Sequence, residues 1–140
     1  MGKFLSLSFL PTSRDVGLLL LRLGFGGYMI IAHGLPKLMN FSTRSGKFPD
    51  PLGLSSPVSL GFTIGAEVFA AAFVALGLFS RLSSAAVVIT MGVAFSVMHN
   101  GNFIGEGNGE LAMVYFLAFL TIFVSGAGKY SIDNRLAPSS

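Results

Sequence analysis

Four long apolar runs, at about residues 16–35, 58–79, 82–98 and 110–125, constrain this chain more than any other feature. A helix that crosses the hydrocarbon core of a bilayer needs about 20 mostly apolar residues, with about 17 near the lower end. On that scale the four runs read as spans. Each has a boundary signal: Pro36 after the first, Ser55-Ser56-Pro57 before the second, Ser80-Arg81 between the second and third, and the polar stretch 100–109 before the fourth. Composition agrees. Only 11% of the 140 residues are charged and 52% are hydrophobic, whereas a soluble domain carries about a quarter charged residues. With a mean hydropathy of +0.74, the surface such a chain presents is lipid.

The expected architecture is therefore all-α: one domain over residues 1–140, folded as a four-helix transmembrane bundle. The link at Ser80-Arg81 is short enough only for a tight hairpin, so the second and third helices are antiparallel neighbours. The 36–57 link carries Lys37, Arg44, Lys47 and Asp50 among Gly and Pro and reads as a surface cap or short re-entrant piece. Lys3, Arg14, Arg81, Lys129 and Arg135 share one side, against Lys37, Arg44 and Lys47 on the other. Because positive residues prefer the cytoplasm, both termini are expected there, with the 99–109 loop, which has Glu106 and no Lys or Arg, outside.

Several function classes drop out. Nine Lys and Arg against six Asp and Glu give a basic chain, but the bases are dispersed, so they read as membrane topology and not as a nucleic-acid surface. The absence of cysteine removes disulfides, thiolate metal sites and thiol catalysis. The first apolar run carries Arg22 and lacks a small-residue cleavage site, unlike a signal peptide. Met1-Gly2-Lys3-Phe4-Leu5-Ser6 fits the loose myristoylation pattern, though a spanning chain needs no lipid anchor.

The ionisable residues inside the spans carry the functional information. A charge at the bilayer centre costs about 2.5–3.5 kcal/mol even on the lenient insertion scale, so each must face the interior and find a partner. At helical spacing Arg22, Gly26, Met29 and His33 form one stripe on the first helix, and Thr63, Glu67 and Ala71 one on the second. Gly92, Ser96 and His99 follow on the third, and Glu110, Val114, Leu117 and Thr121 on the fourth. Counted at about 1.5 Å per residue, Glu67 falls near mid-membrane, Arg22 about two turns from the inner surface, and His33, Lys37, His99 and Glu110 near the outer surface. If the stripes converge, His33, Lys37, Glu67, His99 and Glu110 line one ligand-binding cluster. Arg22 then either snorkels or pairs with Glu67 as a structural ion pair. The plainer reading makes His33, His99 and Glu110 polar helix ends at the interface. No His-x-x-x-His or Glu-x-x-His spacing supports a metal site, and no residue set marks a catalytic centre. Gly61-x-x-x-Gly65, with Gly24, Gly26 and Gly27, reads as small-residue helix packing.

In their order and spacing several short motifs resemble the DoxX family of small four-helix bacterial inner-membrane proteins, over nearly the whole chain. They are Leu21-Arg22-Leu23-x-x-Gly26, His33-Gly34-x-x-Lys37-Leu38, Ala66-Glu67, Leu76-Gly77-Leu78-x-x-Arg81, His99, Glu110, and Gly126-x-Gly128-Lys129-Tyr130-Ser131-Ile132-Asp133. Ala127 stands where the family's ending typically has proline. The resemblance implies a multi-pass protein of the bacterial plasma membrane that serves as an accessory to redox or oxidative-stress systems, with a quinone as the implied cofactor. Membrane lipids and a larger membrane complex or a second copy of the chain are the implied partners, with no nucleic acid.

The leading expectation is thus a non-catalytic quinone- or lipid-binding subunit. A membrane oxidoreductase of thiosulfate–quinone type is the alternative, although the sequence supplies no cysteine, haem-attachment motif or nucleotide fingerprint. A small transporter or channel, suggested by buried charge alone, is a second alternative.

Overall fold

A computed structural model describes residues 13–137, and among these every regular element is helical. Six helices follow in order: α1 (Arg14–Met39), α2 (Phe41–Arg44), α3 (Ser56–Leu76), α4 (Ser80–Met98), α5 (Glu110–Ser125) and α6 (Ile132–Leu136). α1, α3 and α4 are long and apolar enough to cross a membrane, and α5 is a shorter apolar helix. The fold is a helical membrane bundle in which α1 packs on α3 and α5, and α4 packs on both as well. Its core is Met29, Ala71, Val74, Val87, Phe119 and Ile122 with the ring of Tyr115 among them. The myristoylation pattern at 1–6 lies outside the described residues.

Local sequence explains most boundaries. Ser13 caps α1 by accepting the Val16 N–H on its hydroxyl, and Asp15 favours the positive end of the helix. Gly77 ends α3 in the left-handed conformation (φ +72°), with Leu78 N–H donating to Phe73 O in a Schellman-like turn. The reversal is therefore Gly77-Leu78-Phe79, three residues earlier than Ser80-Arg81 suggests, because Ser80 already opens α4. Pro36 does not end α1. A π-helical turn over Met29–Gly34, with Leu35 N–H donating to Ile30 O, precedes it. That widened turn relieves the clash a proline makes with the carbonyl four residues back.

α3 and α4 contain π turns as well, at Gly65–Ala70 and Ala94–Met98. Each adds about one residue to a turn and so rotates everything beyond it relative to a regular 3.6-residue helix. On α1 the buried positions step from Met29 to Gly34, a spacing of five.

One end of the bundle is tied by the C-terminal segment, which folds back over the α3–α4 hairpin. Asp133 accepts the Phe79 and Ser80 N–H groups at 2.7 and 2.8 Å and so caps α4 from a distance in sequence, while its own N–H donates to Gly77 O. Burial alone raises the Asp133 pKa, but the hydrogen bonds from Ser80 and Phe79 and the nearby Arg22 cation outweigh it and hold the carboxyl below its ordinary value. Asp15 accepts the Lys129 N–H, which joins the start of α1 to the tail. Arg22, fully buried, donates to Tyr130 O. A Cβ on Gly77 would fall 2.9 Å from the Ser131 Cα and press on Arg22 Nη1, so that position needs glycine for space as well as for its backbone.

A cavity between α3 and α4 with a buried ion pair

In the other half of the bundle, from mid-α3 onward, α1 and α3 approach closely. A Cβ on Gly34 would sit 2.6 Å from the Val68 side chain and 2.8 Å from Glu67 O, so only glycine permits this contact. One turn further on, Lys37 reaches across and donates to Glu67 Oε2 at 2.6 Å, and to His33 O at 3.3 Å. This is a salt bridge between a nearly buried carboxylate and a half-buried ammonium. Oε1 of Glu67 has no hydrogen-bond partner among the described residues.

The pair forms the polar floor of a cavity of about 890 Å³ between α3 and α4. The two helices are held together at the hairpin, while the Ser56–Ile64 half of α3 stands away from α4. The 48–54 segment roofs the gap. Asp50 fixes that roof to the start of α3: its Oδ1 accepts Leu54 N–H and the Ser59 hydroxyl, its Oδ2 accepts Ser55 N–H, and Ser56 donates to Phe48 O. The Ser59 hydrogen bond is the main reason the Asp50 carboxyl lies below its ordinary pKa, with the Ser55 and Leu54 amides adding to it against some desolvation. Apart from the ion pair the walls are overwhelmingly apolar, and Glu67 lies near the middle of α3.

Of the five residues the sequence groups as a ligand site, the structure brings Lys37 and Glu67 together and puts His99 on the cavity lining. His99 Nδ1 bonds to Gly107 O, which fixes the ring against its loop. His33 lies outside the cavity: its ring packs edge-on to Tyr115 with centroids 5.3 Å apart, and its Nε2 is buried without a partner among the described residues. Glu110 is exposed at the start of α5, its N–H held by Asn108 Oδ1. The expected Arg22–Glu67 ion pair does not form. Arg22 is level with Gly77, ten residues from Glu67 along α3 and so about 15 Å away, and Glu67 is taken by Lys37.

Two of the four stripes also need correction. On α5, Glu110, Val114, Leu117 and Thr121 all face outward, and the buried face is Ala112, Tyr115, Ala118, Phe119 and Ile122. On α4, Ser96 is exposed and the inward face is Ser80, Ser84, Val87 and Met91. Tyr115 is the interior group that the charge-based reading passes over. Its position in a 3–4 pattern with Ala112, Ala118 and Phe119 is the signal that finds it. Asp50 has a signal too, as an Asp ahead of Pro51 and Gly53 that bonds nearby backbone amides.

Fold and site together define an integral membrane protein: apolar helices bundled around a buried ion pair that floors an apolar cavity. The profile of the DoxX family matches residues 17–100, and the chain belongs to that family. It is similar to two uncharacterized proteins of Haemophilus influenzae. One is 32% identical over 120 residues, covering 77% of this chain and 82% of the relative. The other is 27% identical over 127 residues, covering 86% and 83%. No solved structure matches the chain significantly.

Proposed function

We propose that this protein is a non-catalytic subunit of a bacterial plasma-membrane redox or oxidative-stress system. It crosses the membrane four times and holds the headgroup of a quinone or related lipid in the α3–α4 cavity. The observation that carries this reading is the Lys37–Glu67 pair at the floor of an otherwise apolar cavity of about 890 Å³. Ligand sites for amphiphiles have this make-up, with predominantly apolar walls and a few convergent polar groups that orient the head. The donor set fits a quinone in both of its forms. The Lys37 ammonium can donate to a ring carbonyl oxygen, and the open Oε1 of Glu67 can accept from a ring hydroxyl. When bound, such a ring would supply two-electron redox chemistry. The chain's own residues would orient it, exclude water and hold a proton at the Glu67 carboxylate.

Replacing Glu67 with Gln keeps the shape and removes the charge. The measurement is equilibrium binding of a decyl-chain benzoquinone to purified protein. The expected result is affinity weaker by about tenfold or more, the size of one lost charge-assisted contact, with unchanged binding in Glu110→Gln, which lies outside the cavity. Equal affinity in wild type and Glu67→Gln would remove the carboxylate from the site and overturn the proposal.

A further inference from the structure

The cavity has walls of unequal character, and this bears on how a ligand reaches its floor. On the α1 side it is closed by the Gly34 contact with Glu67 and Val68, where not even a methyl group fits. Above, it is closed by the 48–54 roof, which Asp50 and Ser56 pin with four hydrogen bonds. The remaining side is the seam between α3 and α4. The lining residues there are open: Phe62 is 69% and Ile89 67% exposed. Gly61 and Gly65 belong to the same seam, and a Cβ on either would meet nothing within 4 Å. In these helices the Gly-x-x-x-Gly spacing does not bring two backbones together, as such pairs do when they pack helices. It leaves α3 without side chains where the cavity opens sideways.

We infer that this seam is a lateral portal, through which a long-chain amphiphile slides its headgroup from the acyl-chain region of the bilayer onto Lys37 and Glu67. The inference rests on the reading of the cavity as a ligand site and adds the class and route of the ligand: a molecule resident in the membrane, with a polar ring or head bearing both an acceptor and a donor, and a tail left lying in the seam. A transmembrane helix of a partner is a poorer occupant of the same groove. Its backbone polar groups are already paired within the helix, so it offers little to the open carboxylate oxygen and the ammonium at the floor. A water-soluble ligand would have to pass the pinned roof.

The test uses the full-length protein in lipid nanodiscs and two probes that share one headgroup, a decyl-chain benzoquinone and the same benzoquinone with no chain. Gly61→Trp and, on the facing helix, Ala86→Trp narrow the portal, and Asp50→Ala frees the roof. The portal variants are expected to weaken the long-chain probe by about tenfold or more, while Asp50→Ala leaves its affinity within about twofold. Gly65→Leu, a smaller plug, keeps the experiment decisive if a tryptophan variant fails to fold. Long-chain binding that is indifferent to all the plugs, or that responds to Asp50→Ala instead, overturns the portal. So does a chainless probe that binds as tightly as the chained one. In each of those cases binding still lost in Glu67→Gln would leave the cavity standing as a ligand site, whereas binding indifferent to Glu67→Gln would sink both. Because the chain has no cysteine, Ile89→Cys gives a single thiol at the seam. Its cross-linking in native membranes to a discrete second protein would assign the groove to a partner helix and overturn the lipid route.

Discussion

At the scale of single residues, charge inside the bundle follows one rule, that an ionised group stays there only where a partner or a carbonyl is built beside it. Glu67 and Lys37 meet because Gly34 lets their helices touch, and that makes two predictions sharp. Gly34→Ala places a methyl at 2.6 Å from Val68 and 2.8 Å from the Glu67 carbonyl. Overpacking of this kind costs about 1–3 kcal/mol. Thermal unfolding in detergent should show that loss, together with weakened ligand binding as Lys37 is displaced. Lys37→Met strands a carboxylate that is 4% exposed, and breaking a buried pair on one side costs about 3–5 kcal/mol. The double variant Lys37→Met with Glu67→Leu should recover most of that stability while binding stays lost. If the double variant is no more stable than Lys37→Met, the pair is not what the single substitution disturbs. Glu67 was legible in the sequence as an interior group and Lys37 as a member of the same cluster near the outer surface, but their pairing was not. The distance between Arg22 and Glu67 follows from how α1 runs along α3, and nothing in the spacing of either helix fixes that register.

Among the elements, the existence and approximate length of the four apolar helices could be read from hydropathy alone, and the inward faces only in part. The stripe on α1 holds through Arg22, Gly26 and Met29 because that stretch is regular α-helix. Beyond Met29 the π turn shifts the phase, and the next buried residue is Gly34, with His33 turned toward Tyr115. A 3.6-residue rule cannot anticipate an inserted residue. On α5 the failure is different: the helix is apolar on all sides, so following its few polar residues selected the wrong face, while the buried side is marked by small Ala112 and Ala118 between aromatics. The C-terminal motif belongs to this scale as well, since its Asp133 joins α6 to α4. Asp133→Asn puts an amide nitrogen, which cannot accept, in place of one of the two oxygens that take the Phe79 and Ser80 N–H groups, and should destabilise the protein by about 1 kcal/mol. Its pH dependence has a definite sign. The folded pKa lies below the unfolded value of about 3.9, so the contribution is complete above that value and disappears as pH falls through the folded pKa. The stability gap between wild type and Asp133→Asn, followed by thermal unfolding from neutral pH downward, should therefore be constant near neutrality and close in acid. A gap that widened below pH of about 4 would contradict the cap.

For the molecule as a whole, the two halves have separate work, and the family's motifs divide between them. Arg22, Gly77 and the 126–133 segment meet at one end and lock the tail over the hairpin. Gly34, Lys37 and Glu67 meet in the other half of the bundle and build the cavity floor. Lys129 N–H on Asp15 and the Phe79 and Ser80 amides on Asp133 bring the start of α1, the hairpin and the 129–133 segment to the same end of the bundle. The compartment that end faces is expected from charge. Lys37 is engaged with Glu67 in the interior, leaving only Arg44 and Lys47 as bases in the 40–55 link, against Arg14, Arg81, Lys129 and Arg135 at the tied end. Positive residues near the ends of short loops favour the cytoplasm. A green fluorescent protein fused after Ser140 should therefore fluoresce, and alkaline phosphatase inserted at Ile104, the most exposed apolar residue of the 99–109 loop at 91%, should be active in the periplasm. Two reporters on the same side would mean an even number of crossings between 104 and 140, and so would break the bundle. The reverse pattern would keep the bundle and turn it over, with the roofed end of the cavity in the cytoplasm.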